Sequence, residues 1–204
     1  MADISIGPPA HVGHYVWQQM YDKSCGAVCL LCAALETGHT VYGSIGAHKE
    51  HTLRLNFESE AALYYITSGA EAKGQTVTSL INIGEYSMPS NIVRAAKHIG
   101  FTNATIYMQS TLPDLLLKAC YAEEVKICKH MSGVKVVKGY KASSLLRSDL
   151  GVGEYKLVVV LPYGIGLHYV LHRPDGSYMD PASGKDLSSM PGHYVRTGLS
   201  IVLS

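Results

Sequence analysis

The sequence predicts an α+β domain in which a helical first part packs against a mostly antiparallel sheet near the C-terminus. Three observations carry this prediction. Apolar residues recur at helical spacing with cap and stop signals through the first half of the chain, and runs of strand length rich in Val, Tyr and Leu fill the last third. Hydrophobic types make up 47% of the 204 residues and charged types 16%, below the roughly 25% of an average soluble domain, so the chain carries enough apolar surface to fold. Its length suits one domain, and no Pro, Gly or Ser tract divides it. One unit over residues 1–204 is expected, with a helical lobe over about 20–130 and a sheet lobe over about 131–204.

The clearest helix runs from Ser24 to Glu36, where Ala27, Leu30, Leu31, Ala34 and Leu35 fall at helical spacing, Ser24 can cap the start and Gly38 can end it. A second is expected from Glu58 to Thr67 and a third from Ser90 to Ile99, capped by Ser90 and stopped by Gly100. A fourth begins near Thr111, where Thr111 and Asp114 have capping-box spacing and Leu115, Leu116, Ala119 and Cys120 form an apolar stripe. Strands follow at Val134–Val137, Tyr155–Leu161, Leu167–His172, Ser177–Met179 and Leu199–Leu203. A cleft is expected where helices and sheet meet.

Composition narrows the function. Lys plus Arg total 17 against 16 Asp plus Glu, with no long block of either sign, which argues against nucleic acid and anionic lipid as partners. No apolar run reaches the ~20 residues of a membrane helix. Met1–Pro9 shows no cationic stretch followed by an apolar core, so the expected location is cytoplasmic, or outside the cell by a route without a cleaved signal peptide. Five cysteines, three of them packed into Cys25, Cys29 and Cys32, suit a reducing compartment better than a disulfide framework.

The stretch that carries chemistry is Gln19-Met20-Tyr21-Asp22-Lys23-Ser24-Cys25-Gly26-Ala27. It places a thiol in the first turn of the predicted helix, where unpaired N–H groups and a partial positive charge favour a thiolate and can hold a developing oxyanion. Gly26 removes a side chain beside the sulfur, so that a substrate backbone could approach, and Gln19 could aim its amide N–H at the same oxyanion. The candidate base is His168, which opens a strand after Gly164-Ile165-Gly166-Leu167. The candidate orienting acid is Asp180, after the turn signal Arg173-Pro174-Asp175-Gly176.

Strand register tests this grouping. A three-residue loop of Pro174, Asp175 and left-handed Gly176 pairs Arg173 with Ser177, Val170 with Asp180 and His168 with Ala182. His168 and Asp180 then share a face as diagonal neighbours, and the carboxylate can hold one imidazole nitrogen while the other meets the thiol. A two-residue loop would put Asp180 on the opposite face and break the group.

Gln19-Met20, Ser24-Cys25-Gly26-Ala27, His168-Tyr169-Val170 and Asp180-Pro181-Ala182 with Gly184 resemble, in order and spacing, the papain-like peptidase domain of bacteriocin-processing transporters and its stand-alone relatives. His168 lies about 140 residues beyond Cys25, within the range of about 130–150 known for papain and the cathepsins. The resemblance covers both ends of the chain, while Thr40 to Ser132 aligns only by helix count. It implies a papain-like fold, Cys25 as nucleophile, His168 as base and then acid, Asp180 as orienter and Gln19 in the oxyanion hole. The substrate implied is a peptide or protein, with no metal and no organic cofactor. Effector-type proteins resembling the same fold deamidate glutamine or cleave host proteins, so a glutamine deamidase or transamidase toxin is an alternative to a protease. The leaving group separates them: a peptide amine, ammonia, or ammonia displaced by a second amine. A catalytically silent binding module is the third reading, disfavoured because all four motif residues are present. Oligomeric state is not legible.

Other candidates carry less. Cys25, Cys29 and Cys32 lie on one helix face, but structural zinc sites usually take their thiols from knuckles and loops. His172 shares a strand face with His168 but adjoins the turn. His11 and His14 lie in an expected extended segment and read as surface or capping residues. Gly164 and Gly166 precede a strand, unlike a dinucleotide-binding turn. The fourteen tyrosines are scattered and read as sheet and interface positions.

Overall fold

The computed structural model describes residues 13–43, 52–108, 123–124, 126–138 and 150–204. The helix expected from Thr111, and His11, lie outside the described residues. In chain order the elements are α1 (Cys25–Glu36), β1 (Val41–Tyr42), β2 (Leu53–Arg54), α2 (Glu60–Ser68), α3 (Val77–Ile83), α4 (Pro89–Ile99), β3 (Ala104–Met108) and β4 (Val134–Lys138). They are followed by β5 (Tyr155–Pro162), β6 (His168–His172), β7 (Tyr178–Asp180), β8 (Lys185–Leu187) and β9 (Tyr194–Leu203). Helices precede a mostly antiparallel sheet, so the α+β class is as expected. Among the described residues no helix is long and apolar enough to cross a membrane.

Every residue of α1 is buried, as a helix apolar all round must be. One side packs on α2 and α4 and the other on β5 and β6, so α1 lies at the centre of the core and its N-terminus emerges where helices meet sheet. Two caps differ from expectation. Ser24 stands at the N-cap of α1 without capping through its side chain. The N-cap of α4 is Met88, with Pro89 in the first turn, where its fixed φ and missing N–H cost nothing. Ser90 lies inside that turn, and its N–H donates to Glu124 Oε2 at 3.0 Å.

The seven-stranded sheet has the order β4-β3-β9-β5-β6-β7-β8. Its pairs are antiparallel apart from β3 with β4. The strand β3 corrects the expected division of the chain. It comes from the stretch read as helical, yet Ala104, Ile106 and Met108 are buried in alternation and it pairs along its length with β9. Where β5 meets β9 the register slips between Val158 and Val160, at a β9 bulge marked by Gly198 with φ 77° and by Thr197 Oγ1 donating to the Val159 carbonyl at 2.7 Å. Such a bulge bends the strand and re-aims what precedes it.

Candidate active site

Tyr21 to Ser24 form a tight turn, with the Ser24 N–H on the Tyr21 carbonyl at 3.1 Å, that delivers Cys25 as the first residue of α1. The Ser24 hydroxyl donates to Glu60 Oε1 at 2.6 Å and to the Tyr21 carbonyl at 2.8 Å. Glu60 is 1% exposed and holds this approach segment with both oxygens. Oε1 also takes the Met20 N–H at 2.7 Å, and Oε2 takes the Trp17 indole N–H at 2.8 Å. A buried carboxylate satisfied by three donors is a fixed anchor. Sequence reasoning missed it, because an acidic residue opening a helix reads as an ordinary partner of the helix dipole.

The hairpin that carries base and acid has the register the three-residue loop requires. Leu171 pairs with Met179 and His172 with Tyr178, the Arg173 N–H reaches Ser177 O at 2.9 Å, and Gly176 has φ 86°. His168 and Asp180 therefore share a face, and His168 Nε2 hydrogen-bonds Asp180 Oδ1 at 2.7 Å. The carboxylate is fully engaged. Oδ1 also accepts the Ala182 N–H at 2.9 Å, while Oδ2 accepts the Tyr194 hydroxyl at 2.9 Å and the Ser183 hydroxyl at 3.2 Å. Burial raises the Asp180 carboxyl, but the bond and charge of His168, with Tyr194 and the Ala182 N–H, outweigh it and hold it below its ordinary value.

For His168, burial disfavours the charged ring. Hydrogen bonds to Asp180 and to Cys25, and the charges of both, overcome that and raise the imidazole to about 9. With Nε2 committed to Asp180, the ring nitrogen left for the thiol is Nδ1. The thiol, imidazole and carboxylate are thus in a row, and the row is well covered: Cys25 is 1% exposed and His168 6%.

The other candidates separate from this group. Gln19 is fixed by its own N–H on the Pro181 carbonyl at 2.9 Å, beside the Asp180 turn. Its side-chain Nε2 donates to the carbonyls of Tyr21 at 2.8 Å and Asp22 at 2.9 Å, and Oε1 is buried without a partner. The expectation of an amide N–H free for an oxyanion is not met, since both amide hydrogens are taken by the turn before Cys25. Gly26 also differs: a side chain there would strike Ser87 and Tyr169, so the glycine serves close packing of α1 and not a substrate backbone. His172 stacks on Tyr178 at 4.4 Å, and burial with Lys156 and Arg196 lowers it to about 4, the reverse of what a base at neutral pH requires. Cys29 and Cys32 are buried, and desolvation holds both thiols well above the ordinary value. His14 bridges two carboxylates outside the triad, with Nε2 on Asp175 at 3.0 Å and Nδ1 on Asp186 at 3.1 Å.

Comparison with known proteins agrees with this chemistry. A sequence profile of the family described as invasion plasmid antigen J, cysteine protease, matches residues 17–204. Cysteine protease IpaJ of Shigella flexneri is 34% identical over 205 residues, an alignment covering 92% of this chain and 77% of that protein. No solved structure matches the chain. Because the match takes in Cys25, His168 and Asp180 together with nearly all of the fold that brings them into line, the chain belongs to the invasion plasmid antigen J family of cysteine proteases.

Proposed function

We propose that Cys25, His168 and Asp180 are the catalytic triad of a papain-like cysteine protease that hydrolyses peptide bonds in a protein substrate. The observation that carries this is the two-sided bonding of His168, to a buried carboxylate through Nε2 and to the thiol of a helix-opening cysteine. Sγ of Cys25 attacks the scissile carbonyl as its proton passes to the imidazole. The tetrahedral oxyanion faces the unpaired N–H groups of the first turn of α1. His168 then protonates the leaving amine, which departs and leaves a thioester on Cys25, and water activated by the same imidazole releases the acid. Asp180 keeps the ring oriented throughout. Gln19 completes the oxyanion hole only by exchanging one of its bonds to Tyr21 or Asp22 for the substrate oxygen. The low exposure of Cys25 means that substrate must first part the cover over the sulfur. The papain-like reading rests on the placement of the thiol at a central helix and of the imidazole and acid on neighbouring strands. Membership of a family described as an invasion plasmid antigen supports an effector acting on proteins of another cell.

The test compares wild type with Cys25→Ala and His168→Ala on a eukaryotic cell lysate, read by mass spectrometry of peptide termini. New termini that appear with wild type and with neither variant are expected. Glutamine-to-glutamate conversion or amine incorporation without cleavage would replace protease by deamidase or transamidase. Equal products from all three proteins would remove these residues from the mechanism.

A further inference from the structure

Tyr194 opens β9, which β5 and β6 separate from β7 in the sheet. A side chain cannot span three strand spacings of about 4.8 Å in a flat sheet, yet the Tyr194 hydroxyl lies 2.9 Å from Asp180 Oδ2. The strand bends over the face that carries the acid, and the bulge at Thr197–Gly198 supplies the bend. The same ring stands edge-on to His168, with centroids 5.7 Å apart at 66°. It therefore touches both partners of the 2.7 Å bond without lying between them.

The ring is itself held. His193 meets it edge-on at 4.6 Å, and Tyr163 stacks on His193 at 4.5 Å and 18°. Tyr163 has φ 51°, the one positive φ outside glycine among the described residues, and its N–H donates to the His193 carbonyl at 2.8 Å. Strain of this kind persists where surrounding structure imposes it and clusters at functional sites. The loop between β5 and β6 accepts it and in return braces the column of rings that ends on His168.

We propose that Tyr194 is a positioning residue of this protease, which fixes the Asp180 carboxylate through its hydroxyl and shields the His168–Asp180 bond from water with its ring. This rests on the triad reading above. The hydroxyl makes the shorter of the two bonds, with Ser183, on the carboxylate oxygen that His168 does not use, and so helps keep Asp180 from rotating or taking up water. The ring keeps the local dielectric low, which strengthens the attraction between imidazolium and carboxylate. The titratable groups facing the pair are Cys25 and Cys29 from α1, Tyr194 from β9, and Tyr163 and His193 behind it.

Two variants separate hydroxyl from ring, and both readouts work without a known substrate. The first is titration of His168 by NMR in histidine-labelled protein. The second is the rate of Cys25 alkylation by iodoacetamide, mapped by mass spectrometry so that only that thiol is counted. Tyr194→Phe keeps the ring. It should leave the His168 titration within about half a unit of wild type and slow alkylation near neutral pH by roughly threefold, because the imidazole loses its fixed aim. Tyr194→Ala should lower the titration by about one unit and slow alkylation about tenfold, because water now screens the pair. His168→Ala is the control for the triad itself. If it alkylates as wild type does, the triad reading fails. If it is slow while both Tyr194 variants, folded by circular dichroism, behave as wild type, the triad stands and the role of Tyr194 is refuted.

Discussion

A methyl group on Gly26 would lie 2.7 Å from Ser87 Cβ, 3.0 Å from its hydroxyl and 3.2 Å from the Tyr169 ring. Ser87 cannot retreat freely, because its hydroxyl is bonded to Thr67 at 2.8 Å and its carbonyl takes the Tyr169 hydroxyl at 3.1 Å. Gly26→Ala gains up to about 1 kcal/mol of helix propensity and loses about 1–3 kcal/mol to overpacking, so the protein should be destabilised by roughly 1 kcal/mol. Relief of the clash moves the first turn of α1 and with it Cys25, so its alkylation near neutral pH should slow several-fold. A urea titration and the alkylation rate check both, and an unchanged pair of values would show that the helix has room after all. The glycine next to the nucleophile was legible in the sequence, but its reason was not, because Ser87 and Tyr169 are remote in the chain. Gln19 is similar. Its nearness to Cys25 could be read, whereas the aim of its amide depends on how the Tyr21–Ser24 turn presents two carbonyls. Gly184 closes a third such contact, since a side chain there would run into the backbone of Gln18.

The hairpin of β6 and β7 was legible because local chemistry decides it: Pro, Asp and Gly set a three-residue loop, and loop length alone puts His168 and Asp180 on one face. Other elements gave no such signal. The helix α3 is rich in β-branched residues and is started by Thr76, whose side chain accepts the Ser79 N–H. The strand β8 is a polar edge of Lys185, Asp186 and Leu187. Within the sheet, Lys156 of β5 pairs with His172 of β6, and burial, Lys156 and Arg196 lower that imidazole to about 4, with Asp175 opposing. The unfolded ring titrates near 6.5. Between those values the unfolded chain binds a proton that the folded chain refuses, so stability falls as pH drops through this window. The loss from His172 should be about 2 kcal/mol between pH 7 and pH 5. His168 works the other way: raised to about 9, it favours the folded state increasingly as pH falls from that value toward 6.5. His172→Phe keeps an aromatic ring over Tyr178 and removes the titration. Urea midpoints at the two pH values should therefore differ less in the variant, and an equal difference would mean that His172 is protonated in the folded protein.

At the scale of the whole molecule, the strap from His14 to Gln19 ties the helices to the sheet, and the buried Arg173–Glu36 pair fastens both to it. Arg173 is 1% exposed. Its Nε donates to both Glu36 oxygens at 2.8 and 2.9 Å, Nη1 to Asp186 at 2.7 Å and Nη2 to the Tyr15 carbonyl at 2.9 Å. The Tyr15 N–H closes the ring on Glu36 at 2.8 Å. In the sequence Arg173 is one letter of a turn motif and Glu36 the last residue of a helix, so nothing local announces that they meet. The order of helices and sheet could be read, while the bolt between them could not. Removing one partner leaves a buried charge uncompensated, so Arg173→Met and Glu36→Leu should each cost about 3–5 kcal/mol. With both replaced, no fully buried charge is stranded, and the remaining cost is the lost bonds to Tyr15 and the loss of Arg173 from the partly exposed Asp186, which keeps His14. The double variant should then be no less stable than the worse single one. Urea unfolding of the four proteins measures the coupling. Strictly additive losses would mean that water reaches the pair in solution and screens its charges.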